Sequence, residues 1–219
     1  MLFFIFGIIA LAVISVVISS PKFKGKMGEK VIQLQHKRFL DPTQYVLFND
    51  CTLPTSDGLT TQVDHILVSP FGIFVIETKN YKGWIYGSEH QKTWTQTLYK
   101  NKYKFQNPIH QNYKHIKVLE SLLQDVVTQD QLHSVIVFVG ESTFKTAMPN
   151  QVFQGRAWVN FIKTFQTPVF SDVKMRRIQH TIEKYSLERN RQTEKLHLDN
   201  LKKQHSEQNV ASQAVDHDQ

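Results

Sequence analysis

The spacing of hydrophobic and polar positions changes several times along the chain. Leu2 to Ile18 is one uninterrupted apolar stretch without a charge. Its 17 residues fall just short of the about 20 that a membrane-spanning helix needs, and Ser19 and Ser20 bring it into range. A signal peptide would want a basic start, a shorter apolar run and a small-residue cleavage site. The stretch lacks these, so it predicts an uncleaved anchor. From Lys26 to Phe39, Met27, Val31 and Leu34 recur at helical spacing and predict a first helix that buries them. Tyr45 to Leu53 predicts a strand. Gln62–Ser69 and Gly72–Lys79 are rich in Val, Ile and Phe and are split by Pro70-Phe71, which predicts a β-hairpin. Short strands are expected over Trp84–Tyr86 and around Trp94. Asn107 before Pro108 reads as a helix start, with Ile109, Ile116, Leu119, Leu123 and Val126 inward. Ser134 to Val139 is a continuous apolar run that suits a strand buried on both faces. Trp158 to Phe165 predicts a short helix, and Ser171 caps another with Met175, Ile178, Ile182 and Tyr185 inward. Past Ser186 the apolar positions thin to Leu196, Leu198 and Leu201, then to a polar tail.

The order is helix, three or more strands, helix, strand, helices. It predicts a mixed α/β domain with a sheet flanked by helices. The boundaries read as an anchor over 1–20, a domain over 21–185 and a charged helix or tail over 186–219.

Charge adds a partner class. The net charge is +7, and the residues from Ser186 onward hold 5 basic against 6 acidic groups. The preceding part therefore carries the whole basic surplus, which favours a polyanion: nucleic acid or anionic lipid. Lys22, Lys24 and Lys26 follow the apolar stretch and no Lys or Arg precedes it, so the domain is expected to face the cytoplasm. The one cysteine, Cys51, excludes an intramolecular disulfide and reads as a small buried apolar residue.

The hairpin brings in chemistry. A two-residue Pro70-Phe71 loop sets Ser69 opposite Gly72, and Asp64 then falls opposite Glu77, with Cβ atoms about 5 Å apart. Glu77 and Lys79 lie two apart and share that face. A three-residue loop would shift the pairing by one. Two adjacent carboxylates repel unless a cation or proton lies between them. Mg²⁺ or Mn²⁺ suits such hard oxygen donors. Lys79 could hold or deprotonate a water, offset charge on a phosphate, or simply neutralise the two acids.

The flanking residues resemble the nuclease-related domain family, a branch of the restriction-endonuclease-like superfamily. The similar segments are Gly25 to Glu29, Thr61 to Ile66, Ser69 to Asn80, Tyr81 to Gly83, Trp94 and Asn107 to Asn112. The resemblance implies an αβββαβ core, a divalent metal and DNA as substrate. It implies Asp64 and Glu77 as metal ligands, Lys79 as the catalytic lysine, and Glu29 and Gln111 as further members of the site. His65 should point to the opposite face, toward the core. His110 and His115 read as surface residues, and Trp84 and Trp94 as packing. Lys100, Lys102 and Lys104 would share one face of an extended segment, with Tyr99, Tyr103 and Phe105 on the other, and are candidate phosphate contacts. Arg176, Arg177 and Lys184 are a second, weaker set. Three functions stay open: a membrane-anchored metal-dependent deoxyribonuclease, a DNA-binding module that keeps the fold without turnover, and a protein that works on an anionic membrane surface.

Overall fold

The computed structural model describes residues 20–188, 190, 192–193, 195–200 and 202. The apolar stretch 2–18 lies outside the described residues apart from its flank at Ser20. No described helix is long and apolar enough to cross a membrane. The first helix, α1 (Pro21–Phe39), is capped by Ser20, whose hydroxyl accepts from Phe23 N–H at 3.3 Å. There follow β1 (Val46–Pro54), β2 (Thr60–Ser69) and β3 (Gly72–Lys79), then three shorter strands, β4 (Gly83–Tyr86), β5 (Thr93–Leu98) and β6 (Asn101–Gln106). Next come α2 (Pro108–Leu123), β7 (Leu132–Phe138), β8 (Ser142–Phe144), β9 (Val152–Gln154), α3 (Ala157–Ile162) and α4 (Asp172–Tyr185).

The strands form two sheets, where the sequence led us to expect one. A five-stranded sheet runs β1-β2-β3-β7-β9, and a four-stranded sheet runs β6-β5-β4-β8. In the large sheet β1, β2 and β3 are antiparallel, and β7 joins β3 in parallel after the α2 crossover. The αβββαβ core is therefore present, with β4, β5 and β6 of the small sheet inserted between β3 and α2 and its fourth strand, β8, following β7. Strands of only three residues, such as β8 and β9, carry no alternation by which a sequence could reveal them.

One face of the large sheet presents Ile66, Val68, Ile73 and Val75 to Ile116 and Leu119 of α2 and to Met175, Ile178 and Ile182 of α4. The other face presents Leu67, Phe74 and Ile76 to Ile32 of α1 and to Trp158, Val159 and Ile162 of α3. The α1 face differs from the expected one. Met27 and Leu34 are 42% and 66% exposed. The buried stripe is Gly28, Ile32, His36 and Leu40, four apart and hence on one side of the helix. Gly28 belongs to it because a Cβ there would stand 3.0 Å from Asn80 Cβ and 3.2 Å from Thr78 Cγ2. Its missing side chain lets α1 touch the end of β3. Tyr185, expected inward on α4, is 38% exposed.

Candidate active site

The β2–β3 hairpin has the predicted two-residue loop. Ser69 pairs with Gly72, and the ladder runs through Val68–Ile73, Leu67–Phe74 and Ile66–Val75 to His65–Ile76. There it stops. The expected Asp64–Glu77 pairing is not part of it. Instead the Thr78 N–H, which would otherwise need a strand partner, donates to Asp64 Oδ2 at 2.8 Å. The opposite edge is disturbed at the same level: β1 pairs Asn49 with His65 and Cys51 with Val63, and Asp50 between them takes φ +56°. Beside this end of the ladder lies a cleft of about 610 Å³ whose wall includes Asp64, Glu29, Gln111 and His115.

Glu77 is almost wholly buried, and Lys79 Nζ donates to its Oε1 at 2.6 Å. The same ammonium donates to Gln111 Oε1 at 3.0 Å. The other carboxylate oxygen of Glu77, Oε2, has no hydrogen-bond partner. It faces His115 Nε2 at 3.4 Å. His115 is buried, contrary to the surface position expected, and its Nδ1 shares a 2.7 Å hydrogen bond with Thr61 Oγ1. A usable signal was present: His115 lies four residues after Gln111 on one helix, and that spacing puts both on one face. His110, one residue before Gln111, is only half-buried.

Charge at the cluster is unevenly distributed. Burial and the charge of Glu77 raise the Asp64 carboxyl well above the ordinary range, Glu29 adds to the repulsion, and the Thr78 N–H and Lys79 oppose it. Burial would raise Glu77 too, but Lys79 and His115 outweigh it and hold that carboxyl below its ordinary value. Burial would lower Lys79, yet Glu77 and Asp64 overcome it and keep the ammonium protonated more firmly than usual. Two acids close together are thus pushed apart in acidity, as happens where like charges share a low-dielectric site.

Among the described residues no three His, Cys, Asp or Glu side chains converge as a ready-made metal cluster. The donor set is two carboxylates, one of them with a buried oxygen that faces His115 Nε2 at 3.4 Å. That fits a hard cation that takes one or two carboxylates and keeps several waters. It does not fit a closed cage of the structural zinc type.

The other sequence candidates separate. Glu29, next to Gly28, reaches the cleft because α1 packs so closely on β3. His65 is on the far face, fully buried, with Nδ1 hydrogen-bonded to Asn49 Oδ1 at 2.8 Å; burial pushes its imidazole down to about 4 and keeps it neutral. Cys51 is buried and its thiol is pushed up to about 11, chiefly by burial. Trp94 is core, but Trp84 is 49% exposed. The three lysines do not form one strand face: Lys100 sits in the β5–β6 turn beside Tyr99 at φ +55°, while Lys102 and Lys104 share a face of β6. Arg176, Arg177 and Lys184 lie on α4, away from the residues that line the cleft.

A helix-flanked mixed sheet with a carboxylate pair and a lysine where the hairpin ladder ends fits a restriction-endonuclease-like domain. The family described as nuclease-related domain matches residues 24–139, and the chain belongs to it. An uncharacterized protein of Bacillus anthracis is 52% identical over 104 residues, which is 48% of this chain and 49% of that relative. The chain thus spans about half the length of the relative it matches. No solved structure matches it.

Proposed function

We propose that the protein is a divalent-metal-dependent nuclease that hydrolyses phosphodiester bonds of DNA, anchored to a membrane through residues 2–18 with the domain in the cytoplasm. The observation that carries the catalytic reading is the Asp64–Glu77–Lys79 cluster, in which Asp64 lines an open cleft and the buried Glu77 behind it is held by Lys79 and faces His115. Asp64 and Glu77 would hold Mg²⁺ or Mn²⁺. Such an ion supplies charge for a phosphoryl oxygen and acidifies a bound water. Lys79, held protonated by Glu77 and Gln111, serves as a cation and hydrogen-bond donor to developing phosphate charge; its raised pKa argues against a role as base. Gln111 and Glu77 fix the ammonium from two sides. His115 orients Glu77 from behind, and Thr61 fixes the ring.

The nuclease reading is tested by incubating the full chain in mild detergent with circular DNA. Nicking is expected with Mg²⁺, and none with chelator or with Glu77→Gln. Cleavage that persists in both would refute the site. A second reading, a DNA-binding module without turnover, draws on the close Lys79–Glu77 pair, in which the protein supplies its own cation. It predicts salt-dependent binding and no nicking with any divalent ion. For His115→Ala the expected result is a ~10–100-fold loss in metal affinity or rate, read as a higher Mg²⁺ concentration for half-maximal cleavage. An unchanged Mg²⁺ dependence would reduce His115 to packing. The topology is checked with C-terminal reporters: one active only in the cytoplasm should give signal, and one active only outside it should not.

A further inference from the structure

The small sheet buries one face and leaves the other open. Ile85, Trp94 and Phe105 point inward onto Ile136, Phe138 and Ile109. On the outer face, strand register places Trp84, Thr97 and Lys102 in one row and Tyr86, Thr95 and Lys104 in the next. Trp84 is 49% and Tyr86 36% exposed. Lys145 Nζ stands 4.6 Å over the Trp84 ring. A groove of about 480 Å³ runs beside Tyr86, between Lys92 and Lys104. Along β6 the next residue on the face of Lys102 and Lys104 is Gln106, which lines the cleft that holds Asp64. The outer face therefore continues into the candidate active site.

We infer that this face is a binding platform for single-stranded nucleic acid, with Trp84 and Tyr86 stacking on bases and Lys102, Lys104 and Lys145 meeting the phosphates. Two aromatic residues two apart on a strand stand roughly 6.5 Å apart, suited to successive bases of an extended strand. A duplex keeps its base faces inside the stack and offers these rings nothing except at an end. Charge selects a polyanion: residues 81–106 carry Lys82, Lys92, Lys100, Lys102 and Lys104 against Glu89 alone. Among the described residues Lys102 and Lys104 form no ion pair. The rings stand in a field of threonine and lysine, not in the contiguous apolar patch by which a helix or sheet enters a lipid surface. The destination of the strand in the cleft rests on the nuclease reading, and the binding itself does not.

The test uses the full chain carrying Glu77→Gln, so that nothing is cut, in detergent and without metal. Anisotropy of a labelled thymidine oligonucleotide is compared with that of a duplex of equal length. The single strand should bind more tightly and quench tryptophan fluorescence. Trp84→Ala and Tyr86→Ala should each weaken it about 5- to 100-fold with little change for the duplex, and Trp84→Phe should retain most of the affinity. Equal binding of both forms, or single-strand affinity indifferent to Trp84→Ala, overturns the platform. So does Trp84-dependent binding to anionic phosphatidylglycerol vesicles with no oligonucleotide affinity. If the parent chain never cuts DNA while Trp84-dependent binding holds, the nuclease reading fails and the platform stands.

Discussion

Asp64→Asn is expected to abolish DNA cleavage and to raise the thermal stability of the metal-free protein. Both follow from one cause. Burial and the neighbouring Glu77 raise the folded Asp64 pKa above its unfolded value of about 3.9. A carboxyl raised in this way contributes stability that is complete below the unfolded pKa and is lost as pH rises through the folded pKa. At neutral pH the Asp64 carboxyl therefore costs stability. Asparagine removes the charge and keeps an oxygen for the Thr78 N–H. The expected gain is roughly 2–4 °C in Tm per kcal/mol, with a flatter dependence of Tm on pH between acid and neutral. Cleavage should fall by about 10³-fold or more, since a metal-assisted step loses several kcal/mol of stabilisation. A variant that melts lower than the parent at neutral pH, or cleaves normally, contradicts this.

Lys79→Met should do the reverse to stability. Glu77 is almost completely buried and Lys79 is its nearest cation. Removing one partner of a buried pair leaves an uncompensated charge and costs ~3–5 kcal/mol. The sign with pH is opposite to that of Asp64. Glu77 is held below its ordinary value, so its contribution is present above the unfolded pKa and lost as pH falls through the folded pKa. The gap between parent and Lys79→Met is therefore widest at neutral pH and closes toward acid, where Glu77 takes up a proton in the variant. Adding Glu77→Gln to Lys79→Met should restore most of the stability and none of the cleavage. Urea unfolding at neutral and acid pH measures this; a Lys79→Met midpoint equal to the parent's at neutral pH would show that the pair does not hold the site.

These effects trace back to features that the sequence exposes unequally. The hairpin was legible because alternation and a Pro-Phe loop fix its register, and the face shared by Glu77 and Lys79 followed from period two alone. The end of the ladder at His65–Ile76 was not legible, because it depends on a side-chain acceptor, Asp64, replacing a backbone one. The buried face of α1 was misplaced since apolar counting passes over Gly28 and His36, which pack by smallness and by a hydrogen bond from the ring to Tyr45 O at 2.7 Å. His115 was missed because a histidine carries no hydrophobic signal, although its spacing from Gln111 was in plain view. The strands β4 and β5 were legible, but their separation into a second sheet was not, because β4 pairs in parallel with β8, far along the chain. The exposure of Trp84 depends on that same pairing.

The proposed function stands or falls on Asp64 and Glu77 together holding a divalent cation. Calorimetric titration of Mn²⁺ into the full chain, repeated over a range of pH, tests it most directly. Mn²⁺ should bind to the parent, with an affinity that falls as the pH is lowered, because the metal competes with a proton that the raised Asp64 carboxyl holds more firmly than an ordinary carboxyl does; Asp64→Asn should lose both the binding and its pH dependence. Mn²⁺ binding of equal strength in parent and Asp64→Asn, or no binding to the parent, would contradict it.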